Sequence, residues 1–65
     1  MCESRIYLVE GSARTTVMEE ASIVRAEGSA VICINAVGER RTVRDAEIVG
    51  ADLPRHEITL RRRPG

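Results

Sequence analysis

The first two residues, Met1 and Cys2, carry the densest chemistry in the chain. A cysteine at position 2 sits one peptide bond from a free amine. Amine nitrogen, amide nitrogen and thiolate sulfur can then close two fused five-membered rings on one metal ion. Thiolate and nitrogen donors in a plane suit nickel(II) or copper, whereas sulfur-rich tetrahedra suit zinc and oxygen cages suit magnesium or calcium. One terminus supplies at most three such donors, so a fourth must come from elsewhere, and a second copy of the same terminus is the nearest source. The competing reading of Cys2 is an ordinary frayed chain end.

Three other features invite a chemical reading. Cys33 lies between Ile32 and Ile34, and a free cysteine in such a run packs as a small hydrophobe, so a core thiol is expected rather than a ligand. His56 is the single imidazole, in the turn-forming run Leu53-Pro54-Arg55-His56, with no second histidine near it to complete a metal pair. A solvated turn is expected there. Glu19-Glu20 are adjacent acids with nothing beside them to separate their pKa values, and neighbouring strand positions point to opposite faces. They read as a solvated turn between two strands. With no glycine-rich phosphate loop, Ser/His/Asp set or paired-carboxylate arrangement, no catalysis is expected.

These residues must be positioned by a small scaffold. Sixty-five residues make one domain, and a domain of that size buries only about 60% of the surface its unfolded chain exposes. With no Trp, no Phe and one Tyr, its core rests on Val, Ile, Leu and Ala. Scaffolds this small commonly need a metal, a disulfide or a partner copy. The ten basic residues, all arginine, balance ten acidic ones, which excludes a strong global field for nucleic acid or an acidic membrane. Two cysteines are too few for a secreted disulfide framework. The longest apolar runs fall far short of the roughly 20 residues of a spanning helix, and no signal-peptide pattern is present. A soluble, cytoplasmic protein with reduced thiols is expected.

Alternation and turn residues predict strands along most of the chain. Ser4–Glu10 carries the apolar run Ile6-Tyr7-Leu8-Val9 and ends at Gly11-Ser12. Because that run is apolar on both faces, one face is expected on the core and the other on a partner subunit, with the Tyr7 ring at the rim and its hydroxyl in water. Arg14–Met18 forms a short β-branched strand. Ala21–Glu27 and Ala30–Asn35 flank Gly28-Ser29, which fits a type II′ hairpin and places Val24 opposite Cys33 and Ala26 opposite Val31. Residues 41–44 form an arginine-rich edge strand, residues 45–52 a short helix or a further strand, with strand favoured by the resemblance described below, and residues 57–61 a closing strand with Ile58 and Leu60 inward. Residues 62–65 read as a basic, disordered tail, leaving residues 1–61 as the domain.

Met1-Cys2-Glu3-Ser4 running into a hydrophobic strand, the hairpin entry Val24-Arg25-Ala26-Glu27-Gly28 and the chain length together resemble the CooT family of small nickel-binding proteins. The resemblance covers essentially the whole chain. It implies an all-β fold, a small SH3-like antiparallel β-barrel of about six or seven short strands. It also implies nickel(II) bound through Cys2, with Met1 supplying the amine, in a homodimer linked to maturation of the nickel-containing carbon monoxide dehydrogenase. Whether the protein delivers, stores or senses the metal is left open. The rival class is a small RNA-binding β-barrel using Arg40, Arg41, Arg44 and Arg61 to Arg63. Single-strand readers rely on aromatic stacking platforms, and a chain with one aromatic residue is poorly equipped for that.

Overall fold

A computed structural model describes residues 3–64. Six strands and no helix make up the described chain: β1 (Ser4–Glu10), β2 (Ala13–Glu27), β3 (Ala30–Asn35), β4 (Arg40–Arg44), β5 (Ala46–Asp52) and β6 (Glu57–Arg62). They form one sheet in the order β4-β3-β2-β1-β6-β5. The all-β expectation and the bounds of β1 and β3 hold as read.

The hairpins follow from their glycines. Gly11 and Gly28 both have φ 59°, while Ser12 and Ser29 are absent from the left-handed region, as the first and second central positions of a type II′ turn require. Both turns are built on the same tetrapeptide, Glu-Gly-Ser-Ala, at residues 10–13 and 27–30. Val24 pairs with Cys33 and Ala26 with Val31, the expected register.

Glu19-Glu20 do not form a turn. β2 runs through them as one strand of 15 residues. Its first half pairs with β1 as far as Ala21, and from Ala21 onward its other edge pairs with β3. Ala21 is 2% exposed, at the level where the start of β1 and the end of β3 meet β2 from opposite sides. A small residue at that point, with register shifts on either side of it, lets the long strand bend without a loop.

Every strand gives the core at least one buried side chain: Ile6 and Leu8, Ala21, Val31 and Cys33, Val43, Ala46, and Leu60. A single layer whose six strands all aim at one cluster must curl around it. The curl stops short of a closed, purely antiparallel barrel in two respects. β1 and β6 are parallel, with Arg5 beside Glu57 and Leu8 beside Leu60. The end strands β4 and β5 share no ladder. Only Asp45, at φ 52°, separates them, and laying two antiparallel strands side by side takes a loop of at least about two residues. Asp45 instead makes a corner, held by Ala46 N donating to Ser29 O (3.1 Å) and Arg63 N donating to Asp45 O (2.6 Å).

Two boundary details also differ from expectation. Arg62 belongs to β6, opposite Ala46, rather than to a tail. The outer side of β1 is covered partly from within the chain, because the Arg14 guanidinium lies 3.7 Å from the centre of the Tyr7 ring. Arg5 Nη1 donates to the Tyr7 hydroxyl at 3.3 Å.

Candidate metal centre

Met1 and Cys2 lie outside the described residues, so the site is built from its root at Glu3. Ser4 opens β1 beside Ala21 at the bend of β2. On the other side Arg5 N donates to the carbonyl of His56 at 2.8 Å, which starts the parallel ladder with β6. The segment leading to Met1-Cys2 therefore issues from a rim where the middle of β2 and the start of β6 converge on β1. The chain is anchored from Ser4 onward, and the candidate ligands Met1 and Cys2 lie outside the described residues.

Two depressions adjoin Glu3. The smaller, about 230 Å³, is bordered by Glu3, Arg5, Glu19, Glu20, Arg55 and His56. Its charges are largely matched within the chain. Arg5 Nε donates to Glu19 Oε1 at 3.0 Å, and Arg55 lies 3.8 Å from Asp52 Oδ2. The hydrogen bond to Tyr7, then the charge and hydrogen bond of Glu19, raise the Arg5 pKa. His56 has φ 56°, a left-handed conformation that a non-glycine residue adopts with strain. It caps the turn through its backbone, His56 N donating to Leu53 O at 3.1 Å.

The larger depression is an open groove of about 800 Å³. Val17 and Met18 of β2 border it, with Glu3 and Glu20 among its acids and Arg40 and Arg41 at the start of β4 among its bases. The β3–β4 loop overhangs it. Asn35 holds that loop: its Oδ1 accepts from Val37 N (3.1 Å) and Glu39 N (2.9 Å), and its Nδ2 donates to Glu39 Oε1 (2.7 Å). Val37 is thereby presented 81% exposed on a fixed turn. The sequence marked Val37-Gly38 only as a turn, and nothing in it located the groove, whose lining joins β2 to the β3–β4 loop.

Cys33 is a core thiol, as expected. It is fully buried among Val31, Val43 and Leu60, and burial pushes its pKa up. Metal ligation needs the thiolate, so Cys33 is poorly suited to it. Among the described residues no three His, Cys, Asp or Glu side chains gather to hold a metal ion. The soft donor left is Cys2. A thiolate beside amine and amide nitrogen is a chemically fitting set for nickel(II).

The arginines of the RNA reading do not form one free patch. Arg61 is paired with Glu47 at 2.9 Å and Arg62 with Glu10 at 3.0 Å, while Arg62 Nη1 also donates to the Arg44 carbonyl. Arg40 and Arg41 stand at the far end of β4 from Arg44, on a strand that shares no ladder with β6.

Fold and site together define a class: a small, curled, six-stranded β protein whose candidate metal ligands precede its first strand. Residues 1–61 match the family described as CO dehydrogenase accessory protein CooT, and the chain belongs to the CooT family. It is similar to the crystal structure of a CooT candidate from Carboxydothermus hydrogenoformans, with a TM-score of 0.82 and 25% identity over 97% of this chain and 100% of that one. No curated protein sequence matches it. No helix among the described residues is long and apolar enough to cross a membrane.

Proposed function

We propose that this accessory protein binds nickel(II) as a homodimer, one ion held between two Met1-Cys2 termini, and handles the metal for a nickel-containing carbon monoxide dehydrogenase. The observation that carries the reading is the pairing of membership in a CO dehydrogenase accessory family with a thiol at position 2 of a chain whose other thiol is buried. Two Cys2 thiolates would supply the soft donors, and amine or deprotonated amide nitrogen from the same termini would complete a plane. The ion is cargo, so weak structural dependence on it is expected.

The chain's own residues do the positioning. The Arg5-to-His56 hydrogen bond and the β1 ladders fix the root of each terminus, so the entropy lost on chelation is confined to residues upstream of Ser4. Glu3 and Glu20 put negative charge at that root, which favours approach of a divalent cation.

An absorption titration with nickel tests the assignment, using wild type, Cys2→Ser and Cys33→Ala. Thiolate-to-nickel bands in wild type and Cys33→Ala, absent from Cys2→Ser, are expected. Bands that persist in Cys2→Ser and vanish in Cys33→Ala would overturn it.

A further inference from the structure

We infer that the outer edge of β4 is a docking edge for a different protein, which adds an acidic, extended segment there as one more strand of the sheet, whether or not nickel is bound. β4 ends the sheet and is laddered only to β3. Asn35 N donates to Glu39 O at 3.0 Å, and along an antiparallel pair the hydrogen-bonded positions alternate. Arg41 and Val43 therefore turn their backbone groups toward β3, while Arg40, Thr42 and Arg44 turn theirs outward. The Arg44 carbonyl fits that assignment, since it accepts from Arg62 Nη1. The amides of Arg40, Thr42 and Arg44 and the carbonyls of Arg40 and Thr42 form a row that, among the described residues, is open to an incoming strand.

The two ends of the sheet are not equivalent. β5, at the other end, carries a register shift between Ile48 and Gly50, and a bulge of that kind blunts an edge against further pairing. Its Glu47 and Asp52 already have arginine partners in the chain. The β3–β4 ladder runs through all five residues of β4 without a shift. The β4 edge thus keeps the regular geometry that an added strand needs.

Charge decides the occupant. Arg40, Arg41 and Arg44 are exposed and make no ion pair among the described residues. The neighbouring acid, Glu39, is engaged by Asn35 Nδ2 at 2.7 Å. Val43 is buried, so Arg41 shares its face of the strand and Arg40, Thr42 and Arg44 take the other. Base on both faces suits an added strand, whose own side chains alternate in the same way. A nucleic-acid backbone running along one face would meet Arg40 and Arg44, or Arg41, but not all three. A second copy of β4 paired antiparallel about Thr42 would set Arg40 against Arg44 at both ends, and like charges directly opposite are destabilising. Carboxylates in those positions reverse the sign of each contact, so the arginines that deter self-pairing admit an acidic strand.

The test uses the full-length chain and a blocked, dye-labelled peptide carrying Glu-Val-Thr-Glu-Glu, which in antiparallel register sets glutamates opposite Arg44, Arg41 and Arg40. Binding is read by fluorescence anisotropy, and its place by amide hydrogen exchange. Saturable binding is expected, with exchange slowed at the Arg40 and Thr42 amides and unchanged along β5. The double variant Arg40→Glu with Arg44→Glu, its fold checked by circular dichroism, should bind about tenfold more weakly or worse. The same peptide methylated on its threonine nitrogen keeps every charge but loses a ladder donor, and it should bind more weakly too. No binding at millimolar peptide, equal binding by the double variant, or equal binding of the methylated peptide would overturn the proposal. A labelled uridine oligonucleotide bound more tightly than the peptide would overturn it as well, giving the edge to nucleic acid.

Discussion

Replacing Cys33 by alanine or by serine separates a dry core position from a polar one. The side chain is fully buried, surrounded by Val31, Val43 and Leu60. Alanine removes the sulfur, a loss near that of one buried methylene with a small cavity, about 1 kcal/mol. Serine loses comparable apolar contact and adds a hydroxyl in a strand whose backbone groups are already paired on both sides. An unpartnered buried hydroxyl adds about 1 to 3 kcal/mol, giving about 2 to 4 kcal/mol for serine.

A domain of this length has roughly 3 to 10 kcal/mol in total, so serine removes a large share. With a urea slope of about 1 kcal/mol per molar, the two midpoints should differ by about 1 M or more, read by circular dichroism under reducing conditions. The thiol adds a pH signature. Its folded pKa is raised by burial, so above the unfolded value, about 8.5, the unfolded chain sheds a proton that the folded chain keeps. Stability contributed by the protonated thiol is therefore present at neutral pH and lost as pH rises past that value. The alanine variant should lose stability less steeply in that range. A serine variant at least as stable as the alanine variant would refute the dry-core reasoning.

Four further outcomes follow from the same geometry. Leu60→Ala empties the centre of the core and should lower stability by about 2 to 5 kcal/mol, read as a large drop in the midpoint of thermal melts. Gly28→Ala forces a β-carbon into a left-handed turn position and should lower stability by about 1 to 2 kcal/mol, checked by urea unfolding. Asn35→Ala removes the acceptor of two loop amides, and hydrogen exchange should quicken at Val37 and Glu39 while the amides of β1 and β6 keep their protection. Glu47 is held below its usual pKa by the hydrogen bond from Arg61. Its contribution is present above the unfolded carboxylate pKa and lost as pH falls through the lowered folded value, and Glu47→Gln should flatten the acid limb of the stability profile slightly.

Local features of this fold were legible wherever glycine or alternation dictated them. Gly28 fixed the β2–β3 turn, and the turn fixed the register that puts Val24 beside Cys33. Leu60 inward followed from alternation in β6. What could not be read was set by distant partners. Glu19-Glu20 look like a break, yet one edge of β2 stays open there, and solvated acids are tolerated in a continuous strand. The parallel pairing of β1 with β6 joins segments some fifty residues apart, and no local pattern encodes it. The open seam between β4 and β5 depends on a one-residue corner at Asp45, where a single Asp, although it tolerates the left-handed conformation, does not mark a turn without a neighbouring Gly or Pro. The same holds for the site: Cys2 is a candidate ligand by its position alone, whereas the groove beside Glu3 is lined by residues of β2 and of the β3–β4 loop that only the folded chain brings together.

Native mass spectrometry of the nickel-loaded protein tests the central claim most directly, because it counts chains and ions in one particle. The account predicts two chains with one nickel ion in wild type and Cys33→Ala, and no bound nickel in Cys2→Ser. Loading should rise with pH as the thiol, amine and amide lose their protons. One ion on each single chain, or nickel still bound by Cys2→Ser, would contradict it.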